Sequence, residues 1–356
     1  MLAFVTGSTG LLGNNLVRTL LANGHEVRAL ARSQEKAARE LRDTRAEIVL
    51  GDMNDVGGFA DALRGVDVIF HTAAYFREYF APGSHGAALD RINVDATLDL
   101  VHAAHTRGVA RFIDTSTAGL VGLAPDGSPG DETTPPWLGS ARNLYLASKQ
   151  KLEPLLREYS RQTDFFIASA LPAWMWGPHD SGPTPSGQLI ADALRRRLPP
   201  AVPPGGSSVV DARDVAAGML HIAESGRSGE RYILSGPFMN LGDILATLAS
   251  LTGNDAPRIR IVFAGALTMA ALAETWSRLT GSPNVTSVEG IRLMNARIAV
   301  SAAKAERKLG ATFRPFRETL ADAVAWFRTR LGESDTSGPE KRAPLRELQM
   351  SAATER

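Results

Sequence analysis

A strand that runs straight into a glycine turn and out into a helix constrains this chain more than any other feature. Leu2–Thr6 is a short apolar run, and Gly7-Ser8-Thr9-Gly10-Leu11-Leu12-Gly13 follows it without a gap. Leu11–Asn23 then carries Leu12, Leu16, Leu20 and Leu21 at helical spacing before Gly24 stops it, and Glu26–Ala31 reads as the next strand. Strand, glycine turn, helix and strand make a βαβ unit of the kind that binds dinucleotides. Gly7, Gly10 and Gly13 allow the tight turn, the close approach of backbone to pyrophosphate, and the packing of helix on strand. Thr9, Leu11 and Leu12 sit where the helix N-terminus offers amide donors and its dipole to an anion.

The alternation continues. Ile48–Leu50 is a strand ending in Gly51-Asp52-Met53, Val56–Leu63 a helix, and Val66–Phe70 a strand running into His71-Thr72-Ala73-Ala74. Asn93–His105 is a helix, Arg111–Thr117 a strand, Asn143–Thr163 a helix and Phe165–Leu171 a strand. Strands alternating with helices give an α/β fold with a doubly wound parallel Rossmann sheet. Ligands of such sheets lie beyond the carboxyl ends of the strands, where Gly7, Arg32, Asp52, Ala73, Thr117 and Pro172 fall.

Beyond Pro172 the character changes. The stretch 175–208 is dense in proline and glycine around one helix, Ser186–Arg197; Leu241–Thr252, Gly265–Leu279 and Ser301–Leu309 are helical, and Phe316–Leu331 closes the series. The expected division is a dinucleotide-binding domain over 1–174, to which 207–236 returns. A smaller, mostly helical substrate domain covers 175–206 and 237–331. The polar, aperiodic tail 332–356 is expected to be disordered.

A chain of 356 residues, 44% hydrophobic and 22% charged, has ample material for such a core. Its net charge of +1 gives no reason to expect nucleic acid or an acidic membrane as partner. With no cysteine, disulfides, thiolate metal sites and a cysteine nucleophile are excluded. His85 and His179 lack partners at ligand spacing, so no metal is expected. The first residues form a strand rather than a leader, and no apolar stretch is long enough to span a bilayer. The expectation is a cytoplasmic protein without a membrane span, acting on a small molecule.

The chemistry is expected in Tyr145-Leu146-Ala147-Ser148-Lys149. Residues four apart share a helix face, roughly 5–6 Å from each other. A phenol titrates near pH ~10, and a cation beside it brings its proton within reach of neutral chemistry. Such a pair can protonate a carbonyl or deprotonate an alcohol.

Taken together, Gly7-x-x-Gly10-x-x-Gly13, Gly51-Asp52, Ala73-Ala74, Asn93-Val94, Thr115-Ser116-Thr117 with Gly122, Tyr145-x-x-x-Lys149, Gly177-Pro178 and the run from Val210 to Ala216 resemble the extended short-chain dehydrogenases/reductases. The resemblance covers about residues 1–330. Asp131 to Pro135, Gly229 to Gly236 and Ser301 to Ala305 look like the dihydroflavonol 4-reductase-like branch, whose bacterial members are often called hopanoid-associated sugar epimerases. The family implies Tyr145 as general acid/base and Lys149 on the nicotinamide ribose. It implies Thr117 on the substrate oxygen, Asp52 (with Met53) on the adenine, and Ala73, Ala74 and Pro172 along the cofactor. It also implies a homodimer through the helices Asn93–His105 and Asn143–Thr163, a four-helix interface.

Two details bear on which reaction. Enzymes selecting NAD place a carboxylate at the end of the second strand, whereas this chain has Ala31-Arg32, with Lys36 and Arg39 following. Arg32 can hold a 2′-phosphate, so NADP is the expected cofactor and NAD the alternative. Tyr75 to Phe80 and Trp174-Met175-Trp176 place aromatics near the nicotinamide end and suggest an apolar, partly planar substrate. The expectation is an NADPH-dependent carbonyl reductase or alcohol dehydrogenase acting on a bulky ring. An NAD-dependent nucleotide-sugar epimerase/dehydratase is the alternative, and a redox sensor on the same fold comes third.

Overall fold

The structure, a computed structural model, describes residues 1–76, 85–280 and 288–335. In chain order its first half comprises β1 (Leu2–Thr6), α1 (Leu11–Ala22), β2 (Glu26–Ala31), α2 (Gln34–Glu40), β3 (Glu47–Leu50), β4 (Val68–His71), α3 (Gly86–Leu89), α4 (Ala96–Thr106), β5 (Arg111–Thr115), α5 (Leu144–Thr163) and β6 (Phe166–Pro172). The second half comprises β7 (Trp174–Trp176), α6 (Pro185–Leu194), β8 (Ala201–Val202), β9 (Gly206–Asp211), α7 (Ala212–Ser225), β10 (Arg231–Leu234), β11 (Phe238–Asn240), α8 (Leu241–Thr252) and β12 (Ile259–Arg260). It ends with α9 (Phe263–Thr280), α10 (Val288–Asn295), α11 (Ala303–Leu309) and α12 (Phe316–Asp335).

Seven strands form one sheet in the order β3-β2-β1-β4-β5-β6-β10, and every pairing in it is parallel. This is the Rossmann-like arrangement expected, and the order reverses between β1 and β4. Alternate strand residues feed two cores, as the pleat requires. Ala3, Val5, Val68, Phe70 and Ile113 pack under α1 and α7, against Leu16, Leu20, Val215 and Met219. Phe4, Ile69, Phe112 and Ile167 face the other way, onto Leu100, Val101, Leu152 and Leu156 of α4 and α5.

A third core, built on Trp176, Val209, Leu245, Leu248, Leu320 and Phe327, joins α6, α8 and α12 to a small sheet of β11, β9 and β7. The stretch expected to return at 207–236 therefore divides. β9 pairs in the small sheet, while α7 and β10 serve the large one. α12 is fastened back to the first half, its Arg330 donating to Glu40 of α2 at 2.7 Å.

Several expected elements shift. The helix over 56–63 is a 3₁₀ helix, Gly57–Leu63. The helix expected from Asn93 begins as a π segment, Asp90–Asp95, before α4. α6 stops at Leu194 and leaves Arg195, Arg196 and Arg197 exposed. α12 runs on to Asp335, four residues into the expected tail; residues 336–356 lie outside those described, as do Arg77 to Phe80 of the aromatic insert. β7, β9 and α10 were not anticipated.

Candidate active site

The glycine turn is built as the motif requires. Gly7 has φ +64°, a backbone conformation costly to any side chain, and a Cβ there would lie 2.8 Å from the Ala73 nitrogen. A Cβ on Gly13 would lie 2.2 Å from the Gly7 carbonyl oxygen. The first turn of α1 thus sits directly on the end of β1, its amide end open toward the crevice at the switch point. The Ser8 hydroxyl donates to Leu30 O at 2.7 Å and ties the turn to β2.

Thr6 ties it to β4. Its Oγ1 accepts from the Thr72 and Ala73 amides at 3.1 Å each and shares a 2.9 Å hydrogen bond with His71 Nδ1. Having accepted two donors, the hydroxyl gives its own proton to Nδ1. The other ring nitrogen therefore carries the hydrogen and donates to Thr97 Oγ1 at 3.1 Å. Burial, with the Lys149 charge second, holds His71 well below its ordinary pKa, at about 3, so it is a neutral spacer.

At the end of β2, Arg32 is exposed and makes no hydrogen bond or ion pair among the described residues. Ser33 beside it caps α2 by accepting from Lys36 N. Asp52 accepts from Asn54 N at 2.8 Å and holds the turn after β3. Met53 is buried beside it, and Pro172 ends β6.

The catalytic-type residues converge across β5 and α5. Asn143 caps α5, accepting from Leu146 N at 3.0 Å. That sets Tyr145 on the first turn and Lys149 one turn on. Lys149 is 2% exposed and donates to Thr115 O at 2.6 Å. Thr117 follows on the same strand end, its Oγ1 accepting from Gly119 N. Phe76 packs its ring edge-on against Tyr145 at 4.9 Å. Asn93, carried by the π segment, donates to Ser148 Oγ at 3.1 Å and accepts from Tyr75 N at 2.7 Å. It locks the loop after β4 onto the helix.

One expectation needs correction. Burial first and the Asp114 carboxylate second push the Tyr145 phenol above its ordinary value; Lys149, whose ammonium is given to Thr115 O, is not among the causes. A phenol so placed is protonated at neutral pH.

Asp114 was missed by the sequence reading. It lies on β5 between the register partners His71 and Ser169 and faces the α5 side with Phe112. The residue is fully buried, and neither carboxylate oxygen has a well-formed hydrogen bond among the described residues. Burial drives its pKa up; the Lys149 charge opposes this, and the Glu153 charge adds to it. Glu153, one turn beyond Lys149, is by contrast fully engaged: it accepts from Ser116 Oγ and from Arg231 Nη1 at 2.9 Å.

A cavity of about 350 Å³ reaches the first turn of α5 through Asn143. Its walls include Trp137 and Arg142 from the loop before α5, Phe263 and Leu267 of α9, and Arg292 and Leu293 of α10. The aromatics expected at Trp174 and Trp176 do not line it: Trp176 is wholly buried in the third core against Phe316. His85 meets the Tyr75 hydroxyl at 2.9 Å, and His179 packs on Trp326.

The model of the NAD dependent epimerase/dehydratase family matches residues 3–235. The chain belongs to this family. Within the extended short-chain dehydrogenase/reductase type it is an NAD(P)-dependent oxidoreductase. It is 34% identical over 331 residues to a putative dihydroflavonol 4-reductase of Synechocystis, covering 91% of this chain and 94% of that protein. It is 34% identical over 333 residues to sterol demethylase protein B of Methylococcus capsulatus, covering 93% and 99%. The crystal structure of gox2253 superposes with a TM-score of 0.78 at 32% identity, covering 92% of this chain and 98% of that one.

Proposed function

We propose that this family member is an NADPH-dependent carbonyl reductase or alcohol dehydrogenase acting on a ketone of a bulky, ring-containing substrate. The observation that carries the cofactor choice is Arg32, exposed and unengaged among the described residues at the end of β2, where Ala31 stands in place of an acid. The glycine turn suits a pyrophosphate, since Gly7 and Gly13, where a Cβ would strike neighbouring backbone, let the first turn of α1 pack directly on the end of β1 with its amide end leading. The bound nicotinamide supplies the hydride. Lys149, steadied by Thr115 O, holds the ribose hydroxyls; Thr117 orients the substrate carbonyl; Tyr145 donates the proton as the alcohol forms. Trp137, Phe263, Leu267 and Leu293 suit an apolar ring, and the relatives' names cite a dihydroflavonol and a sterol, both ring systems. α4 and α5 are the proposed pairing surface of a homodimer.

A nucleotide-sugar epimerase or dehydratase is the second reading, favoured by Arg142 and Arg292 at the cavity, which could meet a diphosphate. Arg195–Arg197, the other candidate for that task, stand exposed at the end of α6 and away from the cavity lining. Titration with NADPH and NADH separates the two. Wild type is expected to prefer NADPH and Arg32→Asp to reverse the order; NADH preference in the wild type, or NAD that survives purification, selects the epimerase. Tyr145→Phe is expected to keep cofactor affinity within a few-fold while turnover falls by roughly 10²–10⁴. A fully active variant removes Tyr145 from the mechanism.

A further inference from the structure

α9 has two apolar faces, and one has no cover among the described residues. Its inner face is accounted for: Ala266 and Ala270 pack with Ile291 of α10, and Phe263 and Leu267 line the cavity. At 100° per residue, Met269, Leu272 and Trp276 fall together on the opposite side, and Val262 precedes the helix on the same side. These four are 56, 66, 65 and 74% exposed. A solvent-facing helix surface is ordinarily polar. This one carries no charge among its described side chains, because Glu274 turns inward to accept from Val288 N at 2.8 Å.

The patch has a basic edge. Immediately before α9, β12 exposes Ile259 at 56% between the exposed Arg258 and Arg260. Arg258 has only the loose 3.7 Å contact with Asp255, both side chains almost wholly in solvent. An apolar strip with a tryptophan in it, uncharged among its described side chains and preceded in the chain by two exposed arginines, has the composition of an element that lies in a lipid interface. The arginines match anionic headgroups, whose attraction falls off within a Debye length. A protein partner of ordinary size would need a broad patch with a polar rim, and one strip of four side chains does not supply it.

We infer that the outer face of α9, with Val262 and the Arg258–Arg260 edge, docks this protein on the surface of an anionic membrane. The docked helix is the one whose inner face walls the substrate cavity, so an apolar ring compound dissolved in the bilayer can enter without crossing water. That consequence rests on the proposed apolar substrate; the docking itself does not.

The test uses the full chain loaded with NADPH and vesicles of equimolar phosphatidylcholine and phosphatidylglycerol, against vesicles of phosphatidylcholine alone. Wild type is expected to float with the anionic vesicles, less with the neutral ones, and less at high salt. Leu272→Glu combined with Trp276→Glu should lower binding by roughly tenfold or more. Arg258→Gln with Arg260→Gln should abolish the preference for anionic lipid. NADPH affinity and melting temperature of all variants should stay at wild-type values, which shows that the chain is folded. Wild type remaining in the soluble fraction with both vesicles overturns the inference. So does a wild-type dimer that the two glutamates convert to monomer without any vesicle binding, since the face then belongs to a second copy. NADH preference with vesicle binding intact would overturn the reductase reading and leave the docking surface standing.

Discussion

Asp114→Asn tests the electrostatics beneath α5 more directly than any change in the helix itself. The wild-type carboxyl is fully buried, its oxygens lack well-formed hydrogen bonds, and burial raises its pKa. The sign follows from proton binding. Between the unfolded value, near ~4, and the raised folded value, the native protein holds a proton that the unfolded chain has released. Stability therefore falls as pH rises through that window, by at most roughly 1.4 kcal/mol per pH unit. At about 2 °C per kcal/mol for a chain of this size, that is about 3 °C per unit. Asn has the same shape and does not titrate. The variant's melting temperature should thus gain on the wild type as pH is raised from 4, and the two curves should become parallel above the folded pKa. Five tryptophans give a fluorescence signal for the melts. A second readout is kinetic: after burial, Asp114 is the group that raises the Tyr145 phenol, so the basic limb of the rate profile should move to lower pH in the variant. The opposite slope, with the wild type gaining on Asn as pH rises, would mean that Asp114 is ionised and paired with Lys149, and the reasoning would fail.

Two further predictions concern packing. Gly13→Ala places a Cβ 2.2 Å from Gly7 O, so the turn must open; we expect a loss of roughly 1–3 kcal/mol in stability and weaker NADPH binding, read by melting and by titration. Arg330→Ala leaves Glu40, 6% exposed, with Arg39 as its remaining cation, and should cost roughly 1.5–3 kcal/mol at neutral pH. Burial raises the Glu40 pKa but its arginines outweigh this and hold it low. The cost should therefore vanish as pH falls through the native carboxyl's titration, which melts at pH 7 and pH 3 would check.

The parallel half of the fold was legible because its signals are local. Apolar runs bounded by glycine mark the strands, and the turn after β1 carries its reason in its own glycines. The other half depends on contacts distant in sequence. Trp174-Met175-Trp176 reads as an aromatic loop, but becomes β7 because β9 is there to pair with it and Phe316 to cover Trp176. The cavity takes Trp137 from before α5 and Leu293 from α10, and no spacing rule joins those positions. Two signals were available and passed over. A strand buried on both faces should read as continuous apolar residues, and Asp114 interrupts one. Glu153 lies at the helical interval from Lys149 that joins Lys149 to Tyr145.

Those two carboxylates decide how Lys149 can act. Glu153 is matched by Arg231 at 2.9 Å and by Ser116, so its charge is already answered. If Asp114 keeps its proton, nothing negative beside Lys149 is left to cancel the ammonium, which holds only the neutral Thr115 carbonyl. An uncancelled cation in a low-dielectric site acts most strongly on charge that develops nearby, and in the proposed mechanism the Tyr145 oxygen becomes negative as it gives up its proton. The lysine would then assist where it is needed, in the transition state, while the resting phenol stays protonated. An ionised Asp114 would spend that charge before the reaction begins. The pH dependence of Asp114→Asn is thus a measurement of whether Lys149 is free to assist, made without touching Lys149 or Tyr145.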